Sequence, residues 1–390
     1  MQTALDIAKL RADTPGCNTV LHLDHAGSSL PPRQVVDTVI AHLEEEARVG
    51  GYRAAFEAHD RVSQVYADVA SLIGADANEV ALVDSATRAW QLAFAALPLK
   101  DGDRILCSRT EYASNHLAFL QLRERVDVTI VPIPPDGSGG IDLDRVAAEL
   151  REGAALMALT HVPTNGGLVH PAHEVGALCR AAGVPLLLDA CQSAGQVDLR
   201  DVPWDMISAS GRKYLRGPRG TGFLGIRRTW LDRVDRPWMD LHGATWTGPD
   251  SYTARNDASR FELWERSYAD VLGLGAAVRY ALDCGMQALE ARIASIAEGL
   301  RDRLRAQVGM TVHDRGAVRC GLVTFSREGS DPLQLKSALR QRDVHVTVSR
   351  RPSTLLDMTD RGLEAVVRAS VHALTTEAEL DAFMEHLAAC

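Results

Sequence analysis

Leu186-Leu-Leu-Asp-Ala-Cys-Gln-Ser-Ala-Gly195 decides how the chain is read. Three consecutive leucines leave no polar face, so they fit a strand buried on both sides, and Asp189 then stands at its carboxyl end. The same texture recurs in Val80-Ala-Leu-Val83, Arg104-Ile-Leu-Cys107, Val128-Thr-Ile-Val131, residues 154–160 and Asp205-Met-Ile-Ser208. Helical patterns of crossover length lie between them at residues 87–97, 115–125 and 175–182. Alternating buried strands and helices predict a doubly wound, mostly parallel α/β sheet. Upstream, residues 36–73 are helical with a break at Gly50-Gly51, and Val35, Val36, Val39, Ile40 and Leu43 form an apolar stripe. Near Trp264 the texture changes: residues 272–304 are helical, 321–325 and 345–348 are strand-like, and 332–340 and 377–389 are helical again. That pattern predicts a smaller α+β domain, giving an N-terminal segment (1–20), a large domain (21–265) and a small domain (266–390).

The 390 residues suit two or three domains at roughly 100–200 residues each. Apolar residues make up 46% and charged residues 24%, which excludes wholesale disorder. The net charge of −9 argues against a nucleic-acid partner, which calls for a basic face. No apolar run approaches the roughly 20 residues of a membrane span, and charges occupy the place of a signal peptide's apolar core. The expectation is a cytoplasmic protein without a membrane or nucleic-acid partner. Seven widely spaced cysteines, with no CxxC pair, predict reduced thiols, with neither a disulfide framework nor a metal site.

Three segments carry chemistry. In Ser208-Ala-Ser-Gly-Arg-Lys-Tyr-Leu-Arg-Gly-Pro-Arg-Gly-Thr-Gly222, Lys213 lies among small residues, with Arg212, Arg216 and Arg219 as a cationic field. Crowding and positive charge favour the neutral amine that forms an imine with an aldehyde; a basic loop binding some anion is the plainer alternative. Asp189 lies where open α/β sheets bind ligands, and a carboxylate there keeps a heteroaromatic nitrogen protonated; a strand-end cap is the alternative. Val83-Asp-Ser-Ala-Thr-Arg-Ala-Trp90 opens a helix with small and hydroxyl residues, which suits a phosphate or a simple N-cap.

Together these segments resemble the pyridoxal-phosphate (PLP) enzymes of fold type I, and most closely the class V aminotransferase family, which includes cysteine desulfurases, isopenicillin-N-epimerase-like proteins and kynureninase relatives. Leu23-Asp-His-Ala-Gly27, Glu111-Tyr-Ala-Ser-Asn115, His161-Val-Pro-Thr-Asn-Gly-Gly167 and Val367-Arg-Ala-Ser-Val-His-Ala-Leu-Thr-Thr-Glu377 extend the resemblance over nearly the whole chain. It implies a seven-stranded sheet in the large domain and a homodimer with active sites at the subunit interface. It also implies that Lys213 binds the cofactor as a Schiff base and carries the Cα proton. Asp189 would pair with the ring nitrogen and Gln192 reach the ring hydroxyl, with Thr164 or Asn165 nearby. Ala86, Thr87, Ser210 and Arg212 would hold the phosphate, joined by Thr245 or Thr247 from a neighbouring subunit. Tyr112 stands where the family often stacks a histidine on the ring, and Arg212 where a histidine often precedes the lysine. Arg368 would clamp a substrate α-carboxylate. His25 and His242 are candidates for positioning substrate, and Tyr52, Arg53, Trp246, Trp264 and Arg350 for lining its side-chain pocket.

A cysteine desulfurase needs a nucleophilic cysteine ahead of the substrate arginine, yet none lies between Cys320 and Cys390, and Cys320 falls within an apparent strand at residues 318–325. Asp240-Leu-His-Gly-Ala-Thr-Trp-Thr247, Arg260-Phe-Glu-Leu-Trp-Glu265 and Arg361-Gly-Leu-Glu-Ala-Val-Val-Arg368 most resemble the branch holding the carbon–sulfur lyases of ergothioneine biosynthesis and isopenicillin-N-epimerase-like proteins. The expected activity is a C–S β-lyase on a cysteine S-conjugate or its sulfoxide, in small-thiol or secondary-metabolite biosynthesis. Aminotransferase, epimerase and decarboxylation-coupled deaminase are the alternatives. A non-catalytic PLP-binding regulator is disfavoured, since no DNA-binding module is appended.

Overall fold

The computed structural model describes residues 5–235 and 238–390; residues 1–4 of the expected N-terminal segment lie outside them. Seven strands form the central sheet: β1 (Val80–Val83), β2 (Arg104–Ser108), β3 (Thr129–Ile133), β4 (Leu156–Thr160), β5 (Leu186–Asp189), β6 (Met206–Ser210) and β7 (Gly222–Ile226). Their order is β1-β7-β6-β5-β4-β2-β3, and only β7 runs against its neighbours. Both faces are buried, and successive residues alternate between them. Ile105, Cys107, Leu156, Ala158 and Leu187 share a core with Trp90, Phe94 and Phe119 of the helices Ala86–Ala96 and Ala113–Arg123. Leu106, Met157, Leu159, Leu186 and Leu188 pack on the other side with Val146 and Val175 of the helices Leu143–Arg151 and Ala172–Ala182. The crossovers thus place helices on both faces, and the carboxyl ends of β4, β5 and β6 come together.

Several expectations change in detail. The helical stretch 272–304 is two helices, Tyr268–Cys284 and Met286–Ala306, separated by Gly285 at φ 83°. A left-handed residue ends the first helix there, as glycine permits. In the helix Arg33–Val49 the expected apolar stripe is only partly covered: Val35 is buried, but Val36, Ile40 and Leu43 are 38%, 47% and 51% exposed. Cys320 precedes its strand, which begins at Leu322, yet it is buried as a packed thiol should be.

A second, antiparallel sheet holds Met310–Val312, Leu322–Arg327, Ala365–Ser370 and Thr347–Arg350 in that order, so the strand carrying Arg368 is internal. Its core, with Phe325, Phe383 and Leu300, is separate from those flanking the central sheet. Leu21–His22 pairs in parallel with Val344–His345, and Asp24 bridges to Ser370, so residues 21–24 lie against the C-terminal part. Among the described residues no helix is long and apolar enough to cross a membrane.

One close approach positions the site. A Cβ on Gly222 would lie 2.7 Å from the Ala209 carbonyl oxygen and 2.7 Å from the Ser85 carbonyl carbon. Only a hydrogen fits between β6 and the turn that opens the helix Ala86–Ala96. Gly222→Ala should therefore cost ~1–3 kcal/mol of stability, as overpacking does, read as a lower midpoint in urea unfolding of the ligand-free protein.

Candidate active site

A cavity of about 150 Å³ opens at the carboxyl ends of β4, β5 and β6. On one side it meets Ser85, Ala86 and Thr87, where the helix Ala86–Ala96 begins. The Ser85 hydroxyl caps that helix by accepting from the Arg88 N–H (3.2 Å). The first-turn N–H groups have no partner within the helix and give a partial positive charge suited to an anion. Ser210, at the end of β6, and Arg212 and Lys213, in the loop that follows, face the same space. Arg212 is anchored by donating to the Gly27 carbonyl, while the Ser29 N–H donates back to the Arg212 carbonyl (2.9 Å).

At the other end stands Asp189. Its Oδ1 accepts the Cys191 N–H (2.9 Å) and its Oδ2 the Asn115 amide (2.9 Å). The same Asn115 nitrogen donates to Glu111 Oε1 (2.8 Å), and Glu111 also accepts from the Thr160 N–H (3.1 Å) and the Thr160 hydroxyl. Glu111 is fully buried, and burial outweighs these donors, pushing its carboxyl up to about 7. Gln192 donates from Nε2 to the Ala26 carbonyl (3.1 Å), leaving Oε1 buried and without a partner. Tyr112 and Thr164 complete the wall.

Lys213, Asp189, Tyr112, Ala86, Thr87, Thr164, Gln192, Ser210 and Arg212 thus share one cavity. Thr164 rather than Asn165 faces it, because the Asn165 amide is turned to Asp357 (2.7 Å). Arg368 stands one hydrogen bond behind the wall: its Nη1 donates to the Thr164 carbonyl (3.1 Å) and hydroxyl (2.6 Å), and its Nη2 meets Asp24 (3.3 Å). Its Nε is buried with no partner.

The structure does not bring His25 to the cavity. That ring is fully buried, shares a hydrogen bond with the Ser29 hydroxyl (2.9 Å) and sits between His22 and His372, at 4.8 and 5.1 Å. Nor does Arg216 line the cavity. Held at φ 65°, it ties the Leu30 carbonyl (3.0 Å) and the Thr14 hydroxyl. Thr245 and Thr247 are exposed on the hairpin Ala244–Gly248/Ser251–Ala254, away from this chain's cavity. His242 pairs with Glu262 (3.2 Å), Arg53 with Glu57 (2.8 Å), and Tyr52, Trp246, Trp264 and Arg350 are exposed; none lines the cavity. Arg219, expected in the cationic field around Lys213, does line the cavity, whereas the sequence did not single out Cys191 and Thr160 for the wall, nor Glu111 and Asn115 for the network behind Asp189. Cys191 lay in plain view between Asp189 and Gln192, whereas Thr160 is an ordinary strand residue until the fold places it.

The family profile Aminotransferase class-V matches residues 21–383. A probable hercynylcysteine sulfoxide lyase of Mycobacterium tuberculosis is 30% identical, covering 95% of this chain and 90% of its own. A probable cysteine desulfurase of Methanothermobacter thermautotrophicus is 26% identical, with 97% and 96% covered. Among solved structures, the apo cysteine desulfurase of Thermococcus onnurineus superposes with a TM-score of 0.90 at 24% identity, over 98% of this chain and 97% of that one. The chain therefore belongs to the class V aminotransferase family and is a pyridoxal-phosphate-dependent enzyme. The cavity fits that cofactor: the orphaned Gln192 Oε1 lacks a donor of the kind a ring hydroxyl offers, and the helix start with its hydroxyls suits a phosphate.

Burial also sets the response to acid. It depresses His170 and His372 to about 3, His161 to about 4, and His25 well below its ordinary value. Unfolded, these rings bind protons near pH 6.5 while the native rings do not, so stability is full above that pH and lost as pH falls below it. Glu111 has the opposite sign, because the native state keeps its proton from about 4.5 to about 7. The ligand-free protein should lose ~3 kcal/mol between pH 6 and pH 5, measured by urea unfolding across pH. His170→Asn should make the loss smaller by ~1 kcal/mol.

Proposed function

We propose that this enzyme is a carbon–sulfur β-lyase that cleaves a cysteine S-conjugate or its sulfoxide, within small-thiol or secondary-metabolite biosynthesis. The observation that carries the reading is a cavity equipped for PLP whose one wall cysteine, Cys191, has its thiol pushed up by burial, in a chain with no cysteine on the loop ahead of Arg368. No cysteine lies between Cys320 and Cys390, and burial pushes the Cys320 thiol up to about 12. A thiol so held is no nucleophile, which speaks against a persulfide route. The similarity to a probable sulfoxide lyase points the same way.

Bound PLP supplies an electron sink conjugated to the substrate Cα. In this reading Lys213 Nζ holds the cofactor and then takes the Cα proton. Asp189 would keep a positive charge on the ring nitrogen, and Gln192 Oε1 would accept from the ring hydroxyl. The N–H groups at Ala86 and Thr87, the Thr87 and Ser210 hydroxyls, and Arg212 would hold the phosphate. Tyr112 would cover one ring face. The unpartnered Nε of Arg368, with its Nη2, offers a fork for the substrate carboxylate once Asp24 yields its place. Overall, the S-conjugate and water give pyruvate, ammonia and a thiol, and a sulfoxide gives a sulfenic acid in place of the thiol.

We also propose a cytoplasmic homodimer with domains at 21–265 and 266–390, in which Thr245 contacts the partner's phosphate site. Exposed Ile40, Leu43, Tyr52 and Phe56 on neighbouring helices form an apolar surface that a second copy would cover. Phe56→Glu should then shift the mass in light scattering from dimer towards monomer.

A panel of cysteine S-conjugates and sulfoxides, with products read by mass spectrometry, tests the reaction. Pyruvate, ammonia and a released sulfur fragment are expected, and Lys213→Ala should slow their formation by at least ~10²–10⁴-fold. An intact keto acid with aminated cofactor, or carbon dioxide with a sulfur-retaining aldehyde, would sink the lyase reading.

A further inference from the structure

Glu111 is a buried carboxylate to which the proposed chemistry assigns no role. It does not line the cavity, yet it is joined to the carboxylate that does through a single amide nitrogen: Asn115 Nδ2 lies 2.8 Å from Glu111 Oε1 and 2.9 Å from Asp189 Oδ2. Such an NH₂ has two hydrogens, so it donates one to each carboxylate and orients both. We propose that Glu111 is a positioning residue that sets the negative charge behind Asp189, so that the cofactor's ring nitrogen faces a two-carboxylate unit bridged by Asn115. This rests on the reading that Asp189 faces that nitrogen, and is independent of which bond the enzyme breaks.

The electrostatics follow from the surroundings. Glu111 accepts from the Thr160 N–H and hydroxyl as well as from Asn115, and all three bonds favour its charged form. Burial and the Asp189 charge oppose them, leaving Glu111 to titrate near neutrality. The titratable groups facing it are Asp189 on β5 and Cys107 on β2, whose thiol is kept neutral by burial. Lys213, Arg212 and Cys191 face Asp189's side of the network from the cavity wall. Two carboxylates ionised together repel each other, and a cation arriving at Asp189 relieves that repulsion. Ionised Glu111 therefore strengthens the hold on a protonated ring, and protonated Glu111 does not. The influence is felt at the ring without contact between Glu111 and the cofactor.

The test is the dissociation constant of PLP from the apoenzyme between pH 6 and pH 9, for the wild type, Glu111→Gln, Thr160→Val and Asp189→Asn. A nitrogen-15 spectrum of ring-labelled cofactor in each complex reports protonation of the ring nitrogen. For Glu111→Gln the ratio of dissociation constants to wild type should be near one at pH 6 and rise several-fold by pH 8, with the nitrogen signal moving towards the neutral form. A purely structural role would give a ratio independent of pH, which would overturn the proposal. Thr160→Val removes one donor to Glu111 and should move the wild-type pH dependence upwards; if Glu111→Gln does not fold, an unmoved midpoint in Thr160→Val overturns the proposal instead. Asp189→Asn separates the two readings. A nitrogen signal unchanged in that variant refutes the Asp189 assignment itself, whereas a signal that moves there but not in Glu111→Gln refutes only the role of Glu111.

Discussion

A carboxylate at the end of a buried strand is the constraint around which the site is built. Asp189 follows three leucines with no exposed face, so the strand cannot slide or turn without exposing its core. Its oxygens are held by the Cys191 N–H and the Asn115 amide, which fixes the carboxylate plane as well as its position. Removed from bulk water, that charge calls for positive partners. Lys213 and Arg212 come from the loop after the next strand, and the helix start at Ala86 supplies partial positive charge opposite. The anion-and-cation pattern of the cavity is thus a consequence of where these strand ends and the helix start meet.

The spacing of the two elements offered to a phosphate depends on β7. This one reversed strand lies between β1 and β6, so it spaces the Ser85–Thr87 turn from the loop bearing Lys213. Its glycine at position 222 lets that turn touch the sheet backbone directly. Gly195 does the same for the opposite loop: at φ 94°, its missing Cβ leaves room for the Tyr214 backbone, 2.5 Å from where a side chain would begin. Backbone contact without side chains holds the loops rigidly, which suits a site that must orient a flat ligand.

The fold was legible where burial leaves a periodic trace. Six strands of the central sheet stand out as apolar runs, but β7 reads Gly-Phe-Leu-Gly-Ile and hides in a glycine-rich stretch that looks like loop. Lys213 and Asp189 could be found because imine chemistry and ring protonation demand those residue types. His25 could not be placed in advance: a histidine in a motif looks the same whether it meets substrate or, as here, packs between two other rings. Arg216 likewise reads as one more cation near Lys213, and only its hydrogen bond to the Thr14 hydroxyl reveals a tie to the N-terminal segment. The partly open stripe on Arg33–Val49 shows the limit from the other side, since periodicity reports an apolar face without saying what covers it.

The pairing of Leu21–His22 with Val344–His345 has a consequence for synthesis. The chain's first strand has its partner more than three hundred residues downstream, as does Asp24, which bridges to Ser370 and meets Arg368. During translation the central sheet can assemble while this opening stretch still waits. The arginine's surroundings are then the last part of the cavity's neighbourhood to be completed, when the C-terminal sheet closes over both ends of the chain. A nascent chain released before residue 368 would hold the strand end that carries Asp189 and the loop that carries Lys213 but lack Arg368 and half of its setting, which makes the final strand a checkpoint between a folded scaffold and a finished pocket.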